Sequence, residues 1–167
     1  MSIFSSGLIL PADDSAYDIS YSLRFNPDDS PYLTRTPGSA GNRDLWSLSF
    51  WMKLCEPTAT SRAILSVGTT ANRMDIVIAN ALGSAAEARS LAWFQNTSSS
   101  TVAARQTSRL FRDSAEWYHV LLIWDSLNGT ANDTMRVIIN GDRITEFTTT
   151  TNPSSGTDSY VNNNQAH

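Results

Sequence analysis

The chain has one lysine, Lys53, and one cysteine, Cys55, among its 167 residues. A lone cysteine cannot close an internal disulfide, and behind an apolar strand it reads as a small buried thiol. One cysteine and two histidines also exclude a dedicated zinc site. The eleven arginines are scattered and the net charge is −4, so the basic footprint that nucleic-acid binding requires is missing. Long apolar runs are missing too. No stretch approaches the ~20 residues that span a bilayer, and the opening Met1 to Asp14 offers only Gly7 to Leu10 as an apolar core with no basic flank. The sequence predicts no membrane insertion and a start at Met1 without a cleaved leader. Glutamate is scarce: Glu56, Glu87, Glu116 and Glu146 are the full set, none spaced as a pair along a strand. Glycoside cleavage needs two carboxylates about 5 to 10 Å apart, and no G-x-S-x-G nucleophile elbow occurs. These absences point away from an enzyme.

What is present is a modest apolar fraction, 41 %, low charge, 17 %, and abundant Ser, Thr, Asn and Gly. That mixture suits many short strands and turns in one domain with a real core. The most ordered stretch runs from Glu116 to Phe147. Trp117 to Trp124 predicts one strand, Met135 to Ile139 a second and Arg143 to Phe147 a third. Asn140-Gly141 joins the last two, because both residues accept positive φ and so make a two-residue hairpin. Trp117 to Trp124 is apolar on both faces, which predicts a central strand covered on both sides, with His119 as a satisfied core imidazole.

Upstream, Trp46, Leu48, Phe50 and Met52 alternate with Ser47, Ser49, Trp51 and Lys53, predicting a strand whose first set faces a core. Ser22 to Phe25, Tyr32 to Arg35, Ala63 to Gly68, Met74 to Ala79, Leu91 to Gln95 and a weaker Thr101 to Thr107 complete about nine strands. Residues 81 to 89 predict at most one helical turn. Without a long helix, this pattern argues for a two-layer antiparallel sandwich, with a barrel or an immunoglobulin-like sandwich as the alternatives. The immunoglobulin variant is disfavoured because its cysteine pair is absent.

Ser22-Leu23-Arg24-Phe25, Tyr32-Leu33, Asn42-Arg43 leading into Trp46 to Lys53, Phe111-Arg112-Asp113 ahead of Trp117-Tyr118-His119-Val120, and Arg136 to Gly141 follow one another in an order that resembles the laminin-G-like modules of the concanavalin A-like lectin superfamily. The variant is similar to modules of tailed-phage virion proteins. The resemblance implies an all-β, antiparallel two-sheet jelly-roll sandwich over residues 22–167, preceded by an N-terminal arm or docking segment, residues 1–21. It further implies a non-enzymatic structural or adhesion module of a virion, in a tail fibre, head fibre or other appendage. The expected partners are other virion proteins, further copies of the chain in a homo-oligomer such as a trimer, and host-surface glycans. The expected location is the virion, assembled in the host cytoplasm. A free-standing lectin-like protein is the alternative, and a polysaccharide-degrading enzyme ranks third. In that family a further strand pair follows the hairpin, so the sequence also predicts a C-terminally truncated module or one completed by a partner.

Sugar binding requires exposed rings beside hydrogen-bonding groups, and the candidates are Tyr32, Trp51, Trp124 and Tyr160, with Trp46, Trp93 and Trp117 assigned to the core. No cofactor is expected beyond calcium, which laminin-G-like modules hold on a rim loop. Its oxygen donors would come from Asp125, Asn128, Asn132 and Asp133, although a solvated polar loop accounts for the same residues.

Overall fold

The computed structural model describes residue 25 and residues 31–54, 62–78 and 89–167. The chain forms two compact units, Met1–Leu33 and Thr34–His167. The expected boundary between residues 21 and 22, the apolar N-terminal patch, Cys55 and the marginal helical turn lie outside the described residues.

Among the described residues of Thr34–His167 the fold is all-β: β1 (Leu45–Met52), β2 (Arg62–Gly68), β3 (Arg73–Ile78), β4 (Ser90–Thr97), β5 (Ser100–Leu110), β6 (Tyr118–Asp125), β7 (Met135–Ile139), β8 (Asp142–Arg143) and β9 (Phe147–Thr151). They form a four-stranded sheet, β1-β6-β7-β8, and a five-stranded sheet, β2-β3-β4-β5-β9, with every pairing antiparallel. The two-sheet jelly-roll class predicted above is the observed one. Among the described residues no helix is long and apolar enough to cross a membrane.

The core lies between the sheets. From the four-stranded sheet come Trp46, Val120, Leu122, Trp124, Met135, Val137 and Ile139, and from the other Met74, Ile76, Ile78, Leu91, Trp93 and Ala103. Three tryptophans meet at its centre. Trp46 stacks on Trp124 with ring centroids 6.3 Å apart and planes 7° from parallel, and Trp93 crosses the gap at 5.6 Å from Trp46 and 6.0 Å from Trp124. The Trp93 indole N–H donates to Met74 Sδ at 3.3 Å.

Arg105 shares this interior, because it stands directly opposite Trp93 in the β4–β5 register. It is 2 % exposed. Its guanidinium donates to the carbonyls of Ala104 (2.9 Å) and Thr151 (3.2 Å) and to Asn152 Oδ1, and lies 5.5 Å from the Phe147 ring. No carboxylate pairs with it among the described residues, and burial pushes its pKa below the ordinary guanidinium value.

Several expectations are corrected. Tyr32 to Arg35 is not a strand; instead Arg35 exchanges two backbone hydrogen bonds with His167, at 3.2 and 2.9 Å. The segment Thr101 to Thr107, read as the weaker partner, lies inside the longest strand, the 11-residue β5. Arg143 to Phe147 is not one strand. β8 ends at Arg143, and Phe147 opens β9, which pairs with β5 in the opposite sheet. The apolar alternation stops at Ile144, and the Thr-rich run that follows suits a strand bound mainly by its backbone.

Turns match their chemistry. Asn140 and Gly141 have φ of 54° and 87°, the left-handed pair that the hairpin demands. Gly68, at φ 108°, is constrained further, because a Cβ there would collide with the Asn72 carbonyl oxygen in the β2–β3 turn. Gly68→Ala is expected to destabilise the fold by about 2 kcal/mol through combined backbone strain and steric displacement, measured as a drop in the urea midpoint; an unchanged midpoint would contradict the turn geometry.

Candidate functional site: the outer face of the four-stranded sheet

Strand periodicity gives this sheet a second face. Along β6, Tyr118, Val120, Leu122 and Trp124 are buried while His119, Leu121, Ile123 and Asp125 are half-exposed. The expected double-covered strand is therefore corrected: one face is core and the other meets solvent. Flanking strands lend outward positions on β1 (Leu45, Ser47, Ser49, Trp51) and on β7 (Arg136, Ile138). Leu45 and Trp51 are 53 % and 58 % exposed. An apolar, partly aromatic strip on a solvent-facing sheet marks a binding surface more often than an isolated exposed side chain does.

The strip has a polar centre at one end. Trp51 stands opposite His119 in the register, and their rings lie 5.0 Å apart, tilted by 36°. Ser49 Oγ is 2.8 Å from His119 Nε2. The backbone on either side of His119 is held by the hairpin: its N–H donates to Asn140 Oδ1 at 2.8 Å, and its carbonyl accepts from the Asn140 N–H at 2.9 Å. Beneath this point Tyr118 faces the core edge-on to Phe111, with centroids 4.8 Å apart and an 88° interplanar angle. Burial pushes its hydroxyl pKa up, aided by the charge of Glu116 and opposed by its hydrogen bond to the Asp113 carbonyl. A packed layer below and a pinned strand above hold the Trp51–His119–Ser49 group on a rigid support, and its chemistry is an indole face beside a hydroxyl and an imidazole. His119 is hydrogen-bonded, as expected, but at the surface rather than in the core.

Within Thr34–His167 the predicted sugar-binding residues do not converge. Trp51 is on this face. Trp124 is fully buried in the tryptophan trio and is removed as a candidate, because the β6 alternation turns it inward. Tyr160 is half-buried against the core, its N–H bonded to Gln95 Oε1 at 3.2 Å and its hydroxyl near Thr97 Oγ1 (3.3 Å) and Asn72 Oδ1 (3.4 Å). Tyr32 is 80 % exposed and belongs to the other compact unit. Trp117, assigned to the core from sequence, is 50 % exposed and precedes β6.

The calcium candidates fall into two groups with different partners. Asp125 Oδ2 accepts from Asn128 Nδ2 at 3.0 Å and lies 4.0 Å from Arg136 Nη2. Asp133 is paired with Arg143, which also donates to the Asn132 carbonyl at 3.3 Å. No group of three or more His, Cys, Asp or Glu gathers among the described residues. The Asp125 and Asp133 carboxylates thus have amide and arginine neighbours.

A cavity of about 270 Å³ lies where residues 35–41 meet the C-terminal segment, lined by Arg35, Pro37, Ser39, Gly41, Asn162 and His167. It has no aromatic wall, and two of its polar side chains already have partners outside the lining: Asn162 Nδ2 donates to the Asn42 carbonyl at 2.9 Å and His167 Nδ1 lies 2.8 Å from the Gln165 carbonyl.

Compared with known proteins, the chain matches the family profile of the concanavalin A-like lectin/glucanases superfamily, laminin-G type, over residues 27–165. No curated protein and no solved structure matches it.

Proposed function

Because the chain belongs to the concanavalin A-like lectin/glucanases superfamily, we propose that it binds carbohydrate on the outer face of the four-stranded sheet, with the Trp51 indole stacking on a sugar ring and Ser49 and His119 meeting its hydroxyls. The observation that carries this reading is the exposed Trp51 ring held against a hydrogen-bonded Ser49–His119 pair. A pyranose presents C–H groups on one face and hydroxyls around its rim, and this group offers the complement to both. Binding without cleavage is favoured. Among the outward positions of β1, β6 and β7 the one carboxylate is Asp125, whose Oδ2 accepts from Asn128 and lies 4.0 Å from the Arg136 guanidinium, whereas hydrolysis needs an acid and a second carboxylate.

Trp51→Ala is expected to weaken binding to the protein's best glycan about tenfold or more, by calorimetric titration, while far-UV circular dichroism and the unfolding midpoint stay unchanged. Retained affinity in that variant, or release of reducing ends from the bound glycan, would refute the reading.

The setting proposed for this binding is a virion appendage, as a structural or adhesion module assembled with other virion proteins and with copies of itself. Support comes from the ordered sequence blocks, Ser22 to Phe25 through Arg136 to Gly141, that resemble phage modules. Mass spectrometry of purified particles should find the polypeptide, and light scattering should find an oligomer. Absence from particles would remove the virion setting and leave carbohydrate binding untouched.

A further inference from the structure

Arg136 is the unexplained cation of the sugar-binding face. Its outward position on β7 is opposite Ile123, in the same row as Ser47. Its Nε is buried and has no hydrogen-bond partner among the described residues. Its nearest carboxylate oxygen, on Asp125, lies 4.0 Å from Nη2 and is also taken by Asn128. Arg143, by contrast, is closed onto Asp133. The Arg136 side chain keeps 31 % of its surface open to solvent. A guanidinium held this way, desolvated on one edge and poorly paired, is suited to a forked contact with an arriving anion.

Its position relative to Trp51 sets a length. The two rows are four residues apart along the strand and two strands apart across the sheet, which is roughly 17 Å along the diagonal. Between the two ends lie Ser49, Leu121, Ile123 and Ile138, hydroxyl and apolar surface that a sugar chain can follow. A pleated face is open along its diagonal, whereas recognition of a chain end requires a pocket that closes around it.

We infer that the ligand of this face is an internal stretch of an acidic polysaccharide, stacked on Trp51 at one end and paired through an acidic group with the Arg136 guanidinium at the other. The inference rests on the carbohydrate reading above and adds to it a ligand charge and a length. It requires a ligand of several sugar units, and it requires the acidic substituent some units away from the ring that stacks on Trp51.

The test is calorimetric titration of the full chain, its Trp51→Ala variant and its Arg136→Gln variant against a panel of acidic polymers (pectate, alginate, hyaluronan, chondroitin sulfate) and neutral ones (galactan, dextran, xylan), followed by the monomer, trimer and hexamer of the best binder. The expected result is that an acidic polymer binds best and that affinity climbs from monomer to hexamer. Arg136→Gln should lose about tenfold or more on the acidic polymer and little on any neutral one. Raised salt should weaken the wild type more than Arg136→Gln. A neutral polymer as the best ligand, equal affinity for monomer and hexamer, or unchanged acidic binding in Arg136→Gln would each overturn the inference while leaving the Trp51 platform standing. Failure of every polymer to bind, or full binding by Trp51→Ala, would overturn the carbohydrate reading with it.

Discussion

Trp93→Ala is expected to destabilise the protein by about 3–5 kcal/mol, the largest effect of any single truncation proposed for this fold. Trp93 is fully buried and is the one member of the central trio contributed by the five-stranded sheet, so its indole fills the gap beneath Trp46 and Trp124. Its removal exposes the inner faces of both partners to a void that neighbouring strands, fixed by ladder hydrogen bonds on either side, cannot collapse to fill. The N–H donated to Met74 Sδ is lost as well. Guanidinium unfolding followed by circular dichroism would report the loss as a lower midpoint at nearly constant slope. Trp93→Phe should recover more than half of it, because most of the volume returns. A loss below about 1 kcal/mol for Trp93→Ala would mean that the two sheets are not packed through this residue.

The second large effect concerns Arg105. Arg105→Ala is expected to cost about 3 kcal/mol, because it leaves the Thr151 carbonyl and Asn152 Oδ1 short of a donor and removes a long aliphatic stem from the interior. Those two acceptors lie at the end of β9, so the loss should fall on the β5–β9 edge. Faster hydrogen exchange at Thr149 to Thr151 would show it. Arg105→Lys should not rescue the fold, since one ammonium cannot reach the Ala104 and Thr151 carbonyls and the Asn152 amide together. Arg105→Met is the informative control. It keeps the volume and removes a buried charge that no carboxylate balances among the described residues, and is expected to be closer to wild type than either other variant. If Met is the worst of the three, the guanidinium contributes more than its desolvation costs.

The strands were largely legible in the sequence because their causes are local. The β1 alternation from Trp46 to Met52 gives the inward set, and Asn140-Gly141 gives a hairpin by accepting positive φ at both positions. β7 was delimited correctly for the same reason, lying between a polar loop and that turn. The split after Arg143 was not legible. Arg143 to Phe147 reads as one strand, and only the packing of the second sheet draws Phe147 across to β5.

The site was half legible. Trp51 could be named because Ser47 and Ser49 share its face and mark that side as polar. Trp124 was misjudged for the converse reason: a strand apolar on both faces announces two sets of residues without saying which set the core will take. Burial then divides the tryptophans, with Trp46, Trp93 and Trp124 inside and Trp51 and Trp117 at the surface.

The sequence by itself thus determined the all-β class, the hairpin and most strand limits, since each follows from side-chain alternation or backbone preference within a few residues. Tertiary structure alone decided which tryptophans meet solvent, that Ser49 finds His119 across 70 positions of chain, and that Arg136 has no partner closer than Asp125, at 4.0 Å, among the described residues. Those outcomes depend on register between distant strands, where a shift of one residue would turn every side chain to the other face.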